Sequence, residues 1–190
     1  MSRSEDRLPY VATAAARSNL GIAQLPVSIL LDQVRSLYNV GAFFRIADAA
    51  GVARLYLSGI TGRPPQRALS KTALGAEEVV SWEHHWDPLP VVEGLDQQGY
   101  ELAAVETSIR AVDVFEWQPR FPVCVMFGHE VEGVRPELTV RCDTHVRIPM
   151  LGLKHSLNVA VAGGVVVYEL LRKYRELVRQ SRGRAAQALK

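Results

Sequence analysis

Residues 27–51 read VSILLDQVRSLYNVGAFFRIADAAG. The apolar run Val27–Leu31 is typical of a buried parallel strand. Apolar residues then recur at helical spacing from Val40 to Ala50, and Gly51 stands where a helix would end. This stretch therefore predicts a strand that leads directly into a helix.

The same alternation continues along the chain. Further strands are predicted at Leu55–Leu57, Val79–Trp82, Glu101–Val105, Val123–Phe127 and Val146–Met150. Helices are predicted at Pro88–Gln98, Arg135–Cys142 and from about Ser156 to Val178. Strands that alternate with helices indicate an α/β fold around a parallel sheet.

Composition is ordinary for a soluble globular protein. The 190 residues are 48% apolar and 22% charged, which suits one compact domain. The first residues are polar and charged and do not look like a signal peptide. The most apolar stretch, Leu157–Leu171, contains Asn158 and two glycines and is too short for a membrane span. We expect a cytoplasmic protein.

The cysteines and histidines predict no metal site. Cys124 and Cys142 form no CxxC pair, and Cys124 lies in an apolar run typical of a buried thiol. His84 and His85 are adjacent, so on a strand they would point to opposite faces of the sheet.

Charge is distributed unevenly over the chain. Residues 172–190 carry seven Lys or Arg and one acid, a net charge of +6 within an overall +2, which leaves −4 for residues 1–171. A basic end could bind a phosphate backbone, or it could be a solvated helix end whose cations suit the helix dipole. Both explanations stay open.

Asn39–Arg45, NVGAFFR, stands at the first strand-to-helix turn. An Asn at such a junction can cap the helix, and Gly41 lets another backbone approach closely. Taken alone, this segment is explained by a capped helix with a surface arginine.

Phe127–Val134, FGHEVEGV, follows a predicted strand directly. Two glycines five residues apart suit a loop that bends around a ligand, and ligands of α/β sheets bind at the carboxyl ends of strands. No Lys-Ser/Thr follows, so the segment is not a phosphate-binding P-loop. We expect Glu130 to be held inside the turn and Glu132 to be exposed.

Ile148–Asn158, IPMLGLKHSLN, predicts a strand end, a loop and a helix start with Ser156 as the N-cap. Gly163 and Gly164 follow within that helix, where each costs about 1 kcal/mol relative to Ala. Their presence indicates close backbone packing. It occurs either between two copies of the last helix, together with Ala160 and Ala162, or only inside one chain.

These three segments, with Lys71–Ala76 (KTALGA) between the first two, resemble the motifs of SpoU-type methyltransferases of the SPOUT superfamily. Each motif alone is ordinary, but their order and spacing are specific. The likeness covers about residues 26–175. It divides the chain into an N-terminal arm (1–25), a methyltransferase domain (26–175) and a basic tail (176–190).

The resemblance implies an α/β sheet whose C-terminal part forms a deep trefoil knot that binds bent S-adenosyl-L-methionine. It implies methyl transfer to a ribose 2′-hydroxyl of tRNA or rRNA, with tRNA slightly favoured because no separate RNA-binding domain precedes the motifs. It also implies a homodimer in which the first-motif arginine reaches across.

By the same resemblance, the active-site positions are Asn39, Arg45, Glu130, Ser156 and Asn158. The cofactor-binding positions are Val105, Gly128, Ile148 and Leu157. His129 departs from the family, which often has Asn or another small polar residue there.

Two other functions remain alternatives: a base methyltransferase and a catalytically silent module that binds RNA or the cofactor. The presence of Arg45, Ser156 and Asn158 argues against both. The absence of GxGxxG and Walker patterns argues against a generic nucleotide-binding protein.

Overall fold

The computed structural model describes residues 22–188, with side chains as far as Arg184. Most of the predicted N-terminal arm (residues 1–25) lies outside this range. The strands are β1 (Leu25–Asp32), β2 (Val52–Ser58), β3 (Trp82–His85), β4 (Glu101–Val105), β5 (Val112–Asp113), β6 (Val123–Phe127) and β7 (Thr144–Arg147). The helices are α1 (Leu37–Ala50), α2 (Arg67–Ala73), α3 (Ala76–Val79), α4 (Leu89–Gln97), α5 (Pro136–Thr139) and α6 (Val159–Ala188).

The seven strands form one sheet in the order β3-β2-β1-β6-β4-β7-β5, and every neighbouring pair is parallel. This confirms the predicted α/β architecture. Because all strands run the same way, their carboxyl ends meet at one edge of the sheet. The loops that leave this edge carry the second and third motifs.

Helices cover both faces of the sheet. Helices α1, α2, α3 and α6 bury apolar side chains against one face, and α4 and α5 against the other. In β1, Ile29 and Leu31 pack on the first face and Leu30 on the second. A strand buried on both faces needs a continuous apolar sequence, which is why β1 shows no alternation. Cys124 of β6 is fully buried, as predicted.

Helix α1 ends as predicted but begins differently. Gly51 adopts a left-handed conformation (φ 68°) and its amide donates to the last turn. At the other end the cap is Ser36, whose Oγ accepts from the Asn39 amide at 3.3 Å. Asn39 lies in the first turn, so its side chain is free for other partners.

Three predicted boundaries were wrong. The strand placed at Val79–Trp82 starts only at Trp82, because Ala76–Val79 forms a helical turn with Glu77 and Glu78 at its favourable amino end. Strand β7 ends at Arg147, so the Ile148–Met150 stretch lies outside regular structure. Helix α6 begins at Val159 and continues to Ala188, through most of the basic tail.

Gly163 lets α6 approach α1 closely. A Cβ atom built on Gly163 would overlap the ring of Phe43, whereas one on Gly164 would meet only Ile46, at 3.9 Å. Ala160 is also buried within the chain. Of the two explanations for the small residues, packing inside one chain therefore accounts for Gly163 and Ala160.

Within residues 22–188, no helix is long and apolar enough to cross a membrane.

The same substitution at two glycines of α6 should have opposite effects. Gly163→Ala should destabilise the protein by about 1–3 kcal/mol, since the buried Phe43 ring must move. Gly183→Ala, where the new Cβ meets nothing within 4 Å, should stabilise by up to about 1 kcal/mol through helix propensity. Urea unfolding measures both changes, and a Gly163→Ala protein as stable as Gly183→Ala would contradict the packing.

Candidate active site

A cavity of about 380 Å³ opens at the carboxyl edge of the sheet. Its walls come from the end of β4, the loop after β6 and the segment between β7 and α6. The four predicted cofactor-binding residues, Val105, Gly128, Ile148 and Leu157, all line it. Residues distant in sequence thus meet at one site because parallel strands end at the same edge.

The loop after β6, residues 128–133, is a tight turn closed by its own backbone. The His129 amide donates to the Gly133 carbonyl at 3.0 Å, and the Gly133 amide to the His129 carbonyl at 2.9 Å. Nδ1 of His129 accepts from the amides of Val131 and Glu132, both at 3.2 Å. The unusual histidine therefore fixes the loop from within.

Both glycines of this loop are required by its closure. A Cβ on Gly128 would overlap the backbone of Gly133, and one on Gly133 (φ 76°) would meet the Glu106 carboxylate. The sequence suggested that the glycines make room for a ligand. The structure gives a nearer reason, since the chain itself occupies that space.

Glu106 is a cavity residue that the sequence analysis missed. It follows β4 directly, lines the cavity, and its carboxylate accepts the Val134 amide. Its position at the carboxyl end of a buried strand was the available signal.

The Glu130 carboxylate joins the second motif to the start of α1. Oε2 accepts the Arg35 amide at 3.2 Å, and Oε1 accepts the Ser36 amide and Nδ2 of Asn39, both at 3.1 Å. Partial burial alone would raise the Glu130 pKa, but these bonds and its own backbone amide outweigh burial and lower the pKa. Glu130 is thus held as a carboxylate at a helix amino end, where negative charge is favourable.

Asn39 and Asn158 extend this contact to the third motif. Oδ1 of Asn39 accepts from Nδ2 of Asn158 at 3.1 Å. Oδ1 of Asn158 accepts the amides of Ala160 (3.0 Å) and Val161 (3.3 Å), so Asn158 caps α6. We name Glu130, Asn39 and Asn158 the polar triad.

The assignment of Ser156 as the α6 cap was wrong, because Asn158 holds that position. Ser156 lies two residues earlier, exposed at the cavity wall. Its hydroxyl makes no hydrogen bond within residues 22–188 and is available to a bound molecule.

Arg45 stands apart from the other predicted catalytic residues. It is exposed on α1, has no ion-pair or hydrogen-bond partner within the described chain, and does not line the cavity. Arg45 follows Asn39 by six positions along the helix, and the two side chains therefore point about 120° apart. Within one chain, the structure joins Asn39, Glu130 and Asn158 but not Arg45.

An ion pair between a buried aspartate and a partly exposed arginine, also missed from sequence, anchors the end of the second motif. Asp32 at the end of β1 is fully buried and accepts from Arg135 at 2.6 Å (Nε) and 2.9 Å (Nη2), and from Ser58 Oγ at 2.6 Å. The bond to Asp32 raises the Arg135 pKa. This two-pronged contact holds the β6–α5 loop against β1.

Within residues 22–188, no group of three or more His, Cys, Asp or Glu side chains is placed to hold a metal ion.

Residues 26–168 match the SpoU rRNA Methylase family, and the chain belongs to it. The 23S rRNA (guanosine-2′-O-)-methyltransferase of Vibrio parahaemolyticus is 34% identical over 151 residues, which cover 79% of this chain and 60% of that enzyme. The tRNA (guanosine(18)-2′-O)-methyltransferase of Escherichia coli (strain K12) is 32% identical over 150 residues, which cover 79% of this chain. The chain spans 60–65% of the length of these two curated relatives.

Two solved structures share the fold. The TrmH/SpoU tRNA modifying enzyme of A. aeolicus superposes with a TM-score of 0.75 and 29% identity, over 83% of this chain and 80% of that one. An AdoMet-bound rRNA methyltransferase from Sinorhizobium meliloti superposes with a TM-score of 0.72 and 27% identity, over 77% of this chain and 56% of that one.

Removing the Glu130 charge should lower the free energy of unfolding only at pH values at which Glu130 is ionised. Glu130→Gln should cost about 1 kcal/mol at pH 7, because an amide cannot accept all three bonds. The Glu130 pKa is lowered on folding, so its contribution is present above the unfolded glutamate value of about 4.3 and lost as the pH falls through the folded value.

Urea unfolding at neutral and acidic pH therefore should show the difference between wild type and Glu130→Gln shrinking in acid. Glu132→Gln is the matched control, since the Glu132 side chain makes no hydrogen bond within the described residues. A Glu130→Gln effect no larger than that of Glu132→Gln at pH 7 would contradict the role of Glu130.

Proposed function

We propose that the protein transfers a methyl group from S-adenosyl-L-methionine to a ribose 2′-hydroxyl of tRNA or rRNA. The observation that carries this proposal is the polar triad, which joins all three family motifs beside one cavity. Relatives named as a guanosine 2′-O-methyltransferase of 23S rRNA and as a tRNA modifying enzyme support the same reaction.

The cavity suits the cofactor. Its volume of about 380 Å³ is in the range of small-molecule sites. Val105, Ile148 and Leu157 offer apolar walls for an adenine ring, and the Gly128 loop offers backbone groups. When bound, S-adenosyl-L-methionine supplies an electrophilic methyl group on a sulfonium.

The polar triad positions the site and does not take the proton of the ribose 2′-hydroxyl, which passes to bulk water in this proposal. Glu130 accepts three hydrogen bonds at a lowered pKa, which makes it a weak base. The side-chain amide of Asn39 bonds to both Glu130 and Asn158, so in this proposal Asn39 holds the motifs together. Ser156 is the predicted catalytic residue whose hydroxyl is open at the cavity.

Arg45 stabilises charge in this proposal. A guanidinium stays protonated at neutral pH, so it is poorly suited to act as a general base there. Its cation instead holds a substrate phosphate and stabilises the alkoxide that develops on the ribose oxygen, a role worth about 3–4 kcal/mol for a preorganised donor.

We further propose that Arg45 completes the cavity of a second copy in a homodimer. Its separation from the polar triad within one chain supports this arrangement. So do Leu151 and Leu153, almost fully exposed beside the cavity, and Val161 on α6, 54% exposed. A second copy would cover these apolar side chains.

The trefoil knot is part of the same proposal. Strand β7 lies between β4 and β5, which are consecutive along the chain. The segment after β7 therefore passes beside the 106–111 connection, as a chain threaded through that loop must. Residues 26–175 would form the knotted catalytic domain, with residues 1–25 and 176–190 as RNA-binding extensions.

The direct test incubates purified protein, without added metal, with methyl-labelled S-adenosyl-L-methionine and unmodified tRNA or rRNA. Nucleoside analysis should find the label on ribose. Label on a base would favour the base methyltransferase. Cofactor or RNA binding without any transfer would favour the silent module.

Arg45→Ala should lower the rate at least about a hundredfold while leaving cofactor affinity and unfolding free energy unchanged. Arg45→Lys keeps the charge but loses the planar fork, so substantial activity at neutral pH supports charge stabilisation. Recovery of Arg45→Lys only at high pH would instead indicate a deprotonated base. Arg141→Ala, on the opposite side of the sheet and paired with Glu93, is the control and should stay active.

Coexpression tests whether Arg45 acts across the dimer. Arg45→Ala and Leu157→Arg, each inactive alone, should regain activity together, because a mixed dimer has one intact cavity faced by one intact Arg45. Leu157 is partly exposed on the cavity wall, so its replacement should fill the cavity and leave the fold intact. Absence of any recovery in purified mixed dimers would show that both residues serve the same chain.

A further inference from the structure

The loop that follows β3 presents a tryptophan to solvent. Trp86 is 72% exposed, whereas Trp117 is buried. It stands at the carboxyl edge of the outermost strand, the same edge that carries the cavity. Exposed apolar side chains are common, so exposure alone assigns no role. The contacts around Trp86 are what indicate a role.

Trp86 rests on a histidine that is fixed in place. The His84 and Trp86 rings are 5.1 Å apart and nearly perpendicular (87°). Nδ1 of His84 lies 2.8 Å from Nη1 of Arg63, and Nε2 lies 3.0 Å from the Gly59 carbonyl. A guanidinium only donates and a carbonyl only accepts, so His84 is the neutral tautomer with its proton on Nε2.

This arrangement sets a cation beside an open aromatic face. His84 ties Arg63, in the loop after β2, to β3, the strand that Trp86 directly follows. Two acids lie nearby, and both are engaged: Glu83 pairs with Arg54 and His85, and Asp87 accepts the Leu89 amide at 3.1 Å. The perpendicular contact with His84 leaves indole surface free for a flat partner.

We infer that Trp86 and Arg63 form a subsite for an unpaired nucleotide of the RNA substrate, with the base stacked on Trp86 and its phosphate on Arg63. Single-stranded RNA is bound by aromatic side chains that stack on bases next to cations that contact the backbone. This inference rests on the proposed function and adds a contact outside the catalytic cavity.

The test measures the affinity of the full chain for a short single-stranded oligouridine and for an abasic RNA of the same length. Trp86→Ala should weaken oligouridine binding about tenfold, the scale of one lost stacking contact. Its affinity for abasic RNA should not change, because that probe keeps the phosphates but has no base. Trp86→Phe should keep most of the oligouridine affinity.

Phe115→Ala is the matched control. Phe115 is an exposed aromatic residue (55%) that follows β5, and β5 and β3 are the two outermost strands, on opposite sides of the sheet. It should leave both affinities unchanged. Equal oligouridine binding by wild type and Trp86→Ala overturns the subsite, and so does an equal loss for both probes. A change in oligomeric state in place of RNA affinity assigns Trp86 to a protein contact and overturns it as well. Ribose methylation by the wild-type protein tests the proposed function separately.

Discussion

The Glu130 carboxylate is the contact on which the rest of the site depends. It accepts two backbone amides from the turn into α1 and the side-chain amide of Asn39. The backbone amides of Arg35 and Ser36 have no partner within α1, because no carbonyl of the preceding turn exists at the start of a helix. One side chain from the loop after β6 therefore satisfies the start of a helix almost a hundred residues earlier. Asn39 and Asn158 carry the connection to α6.

This polar contact works together with tight backbone packing. Gly128 and Gly133 let the loop after β6 close on itself, and His129 holds its amides from within. The Asp32–Arg135 pair anchors the far end of that loop to β1. The cavity is consequently bordered by a loop fixed at both ends, which suits a site that must hold a ligand in one orientation.

Much of the fold was predictable because it follows from local patterns. The apolar run of β1 and the glycine at the end of α1 indicated their structures directly. The boundaries failed where tertiary contacts decide. Ser156 is as good a cap as Asn158 by composition, but in the folded chain Asn158 accepts the first amides of α6 and is held there by its bond to Asn39.

The site was predictable to a similar degree. The cofactor positions taken from the family resemblance all line the cavity. Glu106 was missed although it follows a buried strand directly, and no local pattern indicated that Asp32 pairs with Arg135. Both contacts join residues far apart in sequence. The separation of Arg45 from the polar triad also depends on a distant contact, because it is the bond between Asn39 and Glu130 that places the triad on one side of α1.

A double-mutant cycle between Asn39→Ala and Asn158→Ala tests the central claim, that the polar triad joins the motifs. The free energy of unfolding of wild type, both single variants and the double variant is measured under one set of conditions. Residues in direct contact typically show a coupling energy of about 0.5–3 kcal/mol. We predict a coupling in that range, with the double variant less destabilised than the sum of the two single variants. Additive effects, with no coupling beyond experimental error, would contradict it.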